Sequence, residues 1–265
     1  MNCRGIGIFL CAAAVLCGCS VQKNDAKEEN IRSEILAKID MLKDADGLHI
    51  EETQSLDNIQ QYFKDGTKTD EKSNEKESDT IRIDIALQNK KLDQYQVQIH
   101  PGAGNVSGID TVLQLKNNTL YTYIADDDGT YEKIQETAVQ EEEKQNFLSS
   151  LLFQKYIEEA KDCFRYQKQE QDANTVYTVE LIDKEKFSAY INKTESKQED
   201  ISFKELKLHY TTDNHTILKA TMKQRYIVAV EMENQEYERI VTENALQKTQ
   251  HITALKNAPE FLRLT

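Results

Sequence analysis

Histidine is the side chain that most often binds metals or carries protons near neutral pH. The sequence has five histidines: His49, His100, His209, His215 and His251. None belongs to a His-Glu-x-x-His motif, in which two imidazoles one helical turn apart bind zinc. His209 and His215 flank a turn that contains Asp213, which makes them the best metal-binding candidates. We favour the interpretation that they are exposed strand and turn residues, and we predict no metal and no cofactor.

The acidic run Asp126-Asp127-Asp128-Gly129 raises the question of a calcium site. An EF-hand loop needs oxygen ligands at positions 1, 3, 5 and 12 and a glycine at position 6. With Gly129 at position 6, Ile124 falls at position 1 and Gln135 at position 12. Because neither suits its position, the run is interpreted as a hairpin turn.

The sequence also contains no serine or cysteine in a recognisable motif for nucleophilic catalysis. Ser107 lies near Gly104 and Gly108, but not in a Gly-x-Ser-x-Gly elbow, and it is predicted in a loop between strands. Cys163 follows Ala160 on the apolar face of a predicted helix, as expected for a buried small hydrophobic residue. The sequence therefore predicts a non-enzymatic protein, with an exported hydrolase as a minor alternative.

The N-terminal segment has the pattern of an export signal. Arg4 carries its single positive charge, and residues 6–16 are almost wholly apolar, too short to span a bilayer but suited to a signal peptide. The following Leu16-Cys17-Gly18-Cys19 resembles a bacterial lipobox. The resemblance implies that residues 1–18 are a lipoprotein signal peptide and that Cys19 receives a diacylglyceryl group. The alternative is an ordinary signal peptide with an incidental cysteine.

A lipidated Cys19 would anchor the protein to the cell membrane on its extracytoplasmic face, with the membrane as its first partner. Two acyl chains anchor stably where one does not, since each buried methylene contributes about 0.8 kcal/mol. Four of the five cysteines lie in residues 1–19. Cys163 is then the one remaining thiol, which excludes an intramolecular disulfide.

Composition excludes several classes of protein. The 265 residues carry a net charge of −13, so no nucleic-acid partner is expected, because phosphate contacts need a basic face. The mean hydropathy of −0.68 excludes a polytopic membrane protein. The low apolar fraction suits a sheet with one solvated face.

The chain is predicted to form one domain over residues 31–265, joined to Cys19 by a flexible polar tether over residues 19–30. Residues 31–45 show helical spacing of apolar side chains. Residues 48–56 begin the strand region. Residues 64–80 contain no apolar side chain and are predicted to form a long mobile loop.

The clearest pattern is a strict alternation of apolar and polar residues, which predicts antiparallel strands with one wet face. It occurs in residues 81–88 and 94–100, and further strands are predicted over residues 112–116, 120–125, 131–134, 176–182, 206–210, 218–222, 226–232 and 237–241. Residues 138–164 form the best helical pattern, residues 184–193 a short helix, and Ile252 and Leu255 a C-terminal helix. The element order shows no βαβ alternation, which predicts an α+β class with one large antiparallel sheet.

This order of elements resembles the LolA/LppX-like lipoproteins and uncharacterised Gram-positive lipoproteins of similar pattern. The resemblance covers residues 31–265 and includes the aromatic hairpin Leu120-Tyr121-Thr122-Tyr123-Ile124 before a helix at residues 147–164. It implies an unclosed β-barrel, a strongly curved sheet with helices packed on its concave face. It also implies a site for acyl chains or lipoproteins between sheet and helices. The family has no motif from which binding residues can be transferred.

The expected function is non-enzymatic binding of a lipid or another hydrophobic ligand in the curved sheet. Nine residues are candidates for the concave face: Ile83, Ile85, Val97, Ile99, Leu113, Leu115, Leu208, Tyr210 and Val228. Their alternative role is simply to pack against the helices. The alternative function is a protein-interaction or envelope-sensing module without a small ligand, which predicts an exposed aromatic patch around Tyr121, Tyr123 and Tyr131.

Overall fold

A computed structural model describes residues 25–102, 109–171, 173–194, 200–213, 215–232 and 237–264. Cys19, the signal peptide and Ser107 lie outside these ranges, so the predictions made for them stay predictions. No helix within these ranges is both long and apolar enough to cross a membrane.

The described chain contains four helices, one 3-10 turn and eleven strands. The helices are α1 (Asp25–Leu42), α2 (Glu141–Leu151), α3 (Gln154–Glu159) and α4 (Lys184–Thr194), with the 3-10 turn at Lys161–Cys163. The strands are β1 (Gly47–Lys64), β2 (Thr67–Gln88), β3 (Lys91–Pro101), β4 (Thr111–Lys116), β5 (Thr119–Ala125), β6 (Tyr131–Ala138), β7 (Phe164–Gln171), β8 (Asn174–Leu181), β9 (Asp200–Thr212), β10 (Ile217–Glu231) and β11 (Arg239–Leu255).

All eleven strands belong to one antiparallel sheet, in the order β6-β5-β4-β3-β2-β1-β11-β10-β9-β8-β7. The first and last strands of the sheet, β6 and β7, do not pair with each other, so the sheet is not closed. The pairing of β1 with β11 joins the two halves of the chain into a single sheet. The predicted class, α+β on one large unclosed antiparallel sheet with helices on one face, is confirmed.

One face of the sheet, called here the inner face, carries the core. Side chains alternate between the two faces along each strand, and residues paired across strands share a face. Ile50 of β1 and Ile83 of β2 are such a pair, and both are buried. The apolar side of α1 packs into the same core through residues spaced three or four apart: Ile31, Ile35, Ile39 and Leu42.

The break between α2 and α3 is held to the inner face by two side chains of the sheet. The buried Tyr210 hydroxyl donates a hydrogen bond of 2.7 Å to the Leu152 carbonyl oxygen. The Gln250 amide donates one of 3.1 Å to the Leu151 carbonyl oxygen. These carbonyl oxygens lie where the helix ends, and they would otherwise lack a hydrogen-bond donor. The sheet therefore determines where α2 stops.

The prediction of a mobile loop over residues 64–80 is wrong. Asp65 and Gly66 both adopt positive φ angles, of 51° and 69°, and make a two-residue hairpin turn from β1 into β2. The charged residues that follow pair with β1, for example Glu75 with Asn58. Among the described residues, this half of β2 pairs on one side alone, because β3 pairs only from Asp79 onward. A solvated edge strand tolerates charge on both faces, which explains a strand without apolar residues.

Three predicted helix boundaries also need correction. The pattern over residues 138–164 comprises α2, α3 and the 3-10 turn, and strand β7 begins at Phe164. Ile252 and Leu255 lie in β11 rather than in a C-terminal helix, because their segment pairs with β1. Helix α1 begins at Asp25, within the segment predicted as a tether.

The opposite face, called here the outer face, is crossed by the C-terminal segment. Leu262 donates its backbone N–H to Gln96 Oε1 at 3.1 Å, and its carbonyl accepts from the amides of Gln96 and Gln114 at 3.5 and 3.4 Å. Gln96 is buried, as is Asp84, which pairs with it across β2 and β3. The glutamines of the outer face therefore hold the C-terminal segment against the sheet.

Candidate ligand-binding site

A cavity of about 190 Å³ lies between the α2–α3 break and strands β10 and β11. Its apolar walls are the side chains of Phe153, Tyr156, Met222 and Leu246, and its polar walls are Ser150, Lys155, Gln224 and Lys248. The strand residues belong to the inner face, where Met222 pairs with Lys248 and Gln224 with Leu246. The cavity thus opens where the helices meet the sheet.

Two wider grooves, of about 650 and 720 Å³, flank the start of α1 and the edge strand β7. Charged side chains line both grooves. They include Lys27, Arg165 and Lys168 in the first, Glu29, Lys161 and Asp162 in the second, and Glu28 in both. A lining of this kind does not favour an apolar ligand, so the smaller cavity is the better candidate.

The backbone at the cavity is strained. Phe153 has a φ of 60°, a left-handed conformation that a bulky residue rarely adopts. Such a residue persists only where surrounding contacts impose it, at a cost of about 1–3 kcal/mol. The hydrogen bonds from Tyr210 and Gln250 to the two preceding carbonyls supply that constraint. The side chain of Phe153 lines the cavity.

A buried polar cluster lies beside the cavity on β1 and β11. Glu52, which is 3% exposed, accepts a hydrogen bond of 2.8 Å from the Gln250 amide. Its other oxygen lies 3.2 Å from Lys248 Nζ. A buried carboxylate needs such partners, because an uncompensated charge in the interior is costly. The cluster fixes the Lys248 ammonium group at the cavity edge.

Beyond the cavity the inner face continues without helical cover. We call this part of the sheet the blade; it comprises residues 56–64 of β1, 67–77 of β2, 224–231 of β10 and 239–246 of β11. Its apolar inner-face side chains are half-buried rather than buried: Leu56, Tyr62, Tyr226, Val228, Val230, Ile240 and Leu246. Tyr226 and Leu246 also contact the main core, so the half-buried apolar surface of the blade is continuous with it.

Aromatic rings connect the cavity to the blade. Tyr156 packs edge-on against Phe187 of α4 at 5.5 Å between ring centroids, and Phe187 packs against Phe203 at 4.8 Å. Phe203 stacks on Tyr226 at 5.5 Å. The rings form a rigid apolar path along one side of the site.

All nine residues predicted for the concave face lie on the inner face. Ile83 pairs with Val97, and Val97 with Leu113, which places these three in one row. Most of the nine are covered by helices or neighbouring strands; Leu208 and Tyr210, for example, have no exposed surface. Val228 is the member that lies on the uncovered blade. The prediction that these nine residues share one face is confirmed. None of the nine lines the cavity.

The two histidines considered as metal ligands, His209 and His215, make hydrogen bonds within the sheet and its turn. His209 lies 3.0 Å from the Thr178 hydroxyl through Nδ1, and burial lowers the pKa of its imidazole. Asp213 Oδ1 accepts backbone N–H bonds of 2.7 Å from His215 and Thr216, which lowers the pKa of that carboxyl. Within the described residues, no three His, Cys, Asp or Glu side chains converge on a metal-sized site.

The other candidate residues occupy structural positions. Asp126 Oδ1 accepts a bond of 2.9 Å from the Thr130 N–H in the turn between β5 and β6, which confirms the predicted hairpin. Cys163 is buried and burial raises the pKa of its thiol, as predicted for a small hydrophobic residue, although it lies in the 3-10 turn.

The tyrosines of the alternative function are partly covered by the fold. Tyr123 is buried, and Tyr121 and Tyr131 are half-buried. Lys133 Nζ lies 5.4 Å from the centre of the Tyr121 ring.

The cavity residues were not singled out in the sequence. Phe153 and Tyr156 follow the helical pattern without interruption, whereas Met222 and Leu246 belong to strands far along the chain. Lys248 offered a weak signal, because a lysine on the inner face interrupts the apolar row between Leu246 and Ile252.

No family model and no curated protein matches the chain. Among solved structures, it is similar to a DUF1329 family protein from Desulfovibrio piger ATCC 29098. The two sequences are 10% identical, the alignment covers 89% of this chain and 95% of that one, and the TM-score is 0.31.

Proposed function

We propose that this chain is a membrane-anchored extracytoplasmic lipoprotein that binds a lipid or another hydrophobic ligand on the inner face of its open sheet, without catalysing a reaction. The observation that supports this most is the apolar inner face of the blade, which continues from the cavity beyond the last helical cover. Apolar surface of this kind costs free energy in water, at about 25 cal/mol per Å², unless a ligand or partner covers it.

The architecture agrees with the resemblance drawn from the sequence. LolA/LppX-like proteins hold acyl chains between an open sheet and its helices, and this chain combines an unclosed sheet with helices on one face. The cavity is small beside the roughly 300–1,000 Å³ of common ligand sites. It would hold one end of a ligand, with the remainder on the blade.

The ligand can be sought by native mass spectrometry of the full chain, released from detergent micelles in the gas phase. We expect a non-covalent adduct that denaturation removes, while acyl groups on Cys19 remain. Val228→Glu, on the inner face of the blade, should abolish the adduct, whereas Ile227→Glu, on the outer face next to it, should retain it. An adduct-free wild-type chain after incubation with envelope lipids would contradict ligand binding.

The anchor has its own test. A Cys19→Ala variant should lose metabolic labelling by a palmitate analogue and should leave the membrane fraction. Labelling that persists in this variant would show that the lipid is attached elsewhere or that the signal is of another type.

A protein-interaction module is the second candidate, favoured by one observation. The outer face of the blade also carries half-buried apolar side chains, among them Ile59, Phe63, Ile227 and Val241. A partner protein could therefore bind both faces of the blade. Crosslinking in cells would test this, with photoreactive groups at Phe63 and, as a control, at Lys184 of α4. Equal yields of adducts from both positions would contradict a partner on the blade.

A further inference from the structure

One half of strand β2 extends beyond the strand that pairs with its other half. In the described ranges, residues 67–77, called here the charged half of β2, pair with β1, whereas β3 pairs only from Asp79 onward. Along an antiparallel strand, the hydrogen-bonding groups of the backbone alternate between the two sides. The charged half therefore presents a row of backbone donors and acceptors on the side away from β1.

The charges of this segment are separated by sign between the two faces of the sheet. Glu75 pairs with Asn58, and Glu77 pairs with Leu56, so both glutamates lie on the inner face. Every second residue of a strand lies on the same face, which places the lysines on the other one. Lys72 and Lys76 accordingly pair with Gln61 and Asp57 of the outer face.

The negative row on the inner face is the stronger of the two. Asn58 and Leu56, the β1 residues opposite Glu75 and Glu77, carry no charge. On the outer face, by contrast, Lys76 Nζ lies 3.3 Å from Asp57 Oδ1, which offsets part of the positive charge. The edge as a whole therefore offers its clearest electrostatic attraction to cations on the inner face.

The two outermost strands of the sheet treat their edges differently. Helix α1 covers β7, where Glu28 accepts a hydrogen bond of 3.3 Å from the backbone N–H of Tyr166. On β6, Lys133 Nζ lies 3.2 Å from Glu136 Oε2, so these two charges balance each other. Among the described strands, the charged half of β2 thus combines an exposed edge with charges sorted by face.

A second copy of this chain is a poor partner for this edge. If two charged halves paired antiparallel around a twofold axis normal to the sheet, both inner faces would lie on the same side. Glutamates would then lie beside glutamates and lysines beside lysines. Like charges on neighbouring strands destabilise the pairing. A favourable partner strand must instead direct basic side chains to the inner face.

We propose that the charged half of β2 binds, by strand addition, an extended segment of another protein in which lysine or arginine alternates with acidic residues. The main chain of that segment hydrogen-bonds to the outward row of β2, as in other cases of strand addition. Its basic side chains lie beside Glu75 and Glu77, and its acidic side chains lie beside Lys72 and Lys76. This edge is separate from the ligand cavity, so the proposal goes beyond ligand binding and does not depend on it.

Two fluorescent peptides of equal composition, each of about twelve residues, test the proposal. One repeats Lys-Glu, so an extended strand carries all lysines on one face. The other repeats Lys-Lys-Glu-Glu, which mixes the charges on both faces. Anisotropy is measured at low salt with the full chain in phosphatidylcholine nanodiscs, and empty nanodiscs give the background. We expect the Lys-Glu peptide to bind at least about fivefold more tightly, because opposite charges on neighbouring strands attract.

Hydrogen exchange locates the bound peptide. The Lys-Glu peptide should slow exchange of the alternate amides in residues 67–77 that do not bond to β1, since strand addition gives them acceptors. The amides of β6 should exchange as before. Protection of β6 instead of residues 67–77 would overturn the assignment to β2.

A double variant tests the sorting of charges without changing the net charge. Lys72→Glu/Glu75→Lys puts one charge of each sign on the wrong face, and should reduce the preference for the Lys-Glu peptide to less than about twofold. The matched control is Lys184→Glu/Glu185→Lys on the exposed start of α4, which should keep the preference. Without peptide, both variants should show the wild-type exchange pattern outside β2, which verifies that they are folded.

Three results would overturn the proposal: equal affinities of the wild-type chain for the two peptides, binding of neither peptide, or an unchanged preference in the folded Lys72→Glu/Glu75→Lys variant. None of these results bears on the ligand of the inner face, which is tested separately by the adduct in native mass spectrometry.

Discussion

Tyr210 is the residue on which the geometry of the site most depends. Its buried hydroxyl donates to the Leu152 carbonyl at 2.7 Å, and complete burial raises the pKa of the phenol, so the donor stays protonated. Tyr210→Phe should lower the free energy of unfolding by about 1–3 kcal/mol, because it leaves a buried carbonyl without its donor. Urea denaturation measures this. Tyr190→Phe, whose hydroxyl donates to Glu159 on the surface, should stay within about 0.5 kcal/mol of wild type; an equal loss in both would contradict a special role for Tyr210.

His209 should make stability depend on pH. Burial lowers the pKa of its imidazole, with the nearby Lys207 adding to the effect. Below the ordinary histidine pKa of about 6.5, the unfolded chain binds a proton that the native chain resists, so stability is full above that pH and falls as the pH drops. His209→Gln should flatten the decrease in unfolding free energy between pH 7.5 and 5. His251→Gln, at an exposed position, should leave the slope unchanged, and an unchanged slope in the His209 variant would refute the assignment.

At the scale of elements, the charged half of β2 is the most unexpected feature. In the part of the chain that the structure describes, residues 67–77 pair with β1 alone, so their amides should alternate between protected and free in hydrogen exchange. Uniform exchange at the rate of an unstructured chain would restore the mobile-loop interpretation. Gly66→Ala should speed exchange through this segment, because the turn needs a positive φ of 69° there.

The C-terminal segment should stabilise the outer face through its hydrogen bonds with glutamine side chains. Gln96→Ala removes a buried amide that both donates to and accepts from Leu262, and should cost about 1–3 kcal/mol of unfolding free energy. It should also speed carboxypeptidase digestion of the tail. Gln94→Ala, two residues earlier on the same face, is the control and should change neither quantity. A Gln96 variant as stable as the control would show that the tail is held by other contacts.

The success of sequence prediction differed among elements for physical reasons. Strands whose apolar side chains face the core while polar side chains lie on the other face reveal themselves by alternation, which is why Ile83, Ile85 and Val97 were placed correctly, although Asp84 and Gln96 on the other face are buried rather than solvated. The edge half of β2 has no buried face and hence no alternation to detect, although Asp65-Gly66 was a usable turn signal. The break at Phe153 was invisible, because helical spacing runs through it and the bonds that impose it come from Tyr210 and Gln250.

At the scale of the whole molecule, the open sheet provides more inner face than four helices cover. The class and the single sheet followed from the order of elements, because antiparallel meanders without βαβ units leave few other arrangements. The cavity could not be predicted in this way. It joins the α2–α3 break to Met222 and Lys248 on strands far along the chain, and only the register of β10 against β11 brings them together.

The inner-face site is tested most directly by photolabelling with a diazirine-bearing fatty acid on the full chain in its membrane, followed by residue-level mapping. Binding at the cavity and blade predicts labels at Phe153, Tyr156, Met222 and Val228, each reduced by excess unlabelled fatty acid. Labels confined to the outer face or the C-terminal segment, or labels that competition does not reduce, would contradict a ligand site on the inner face.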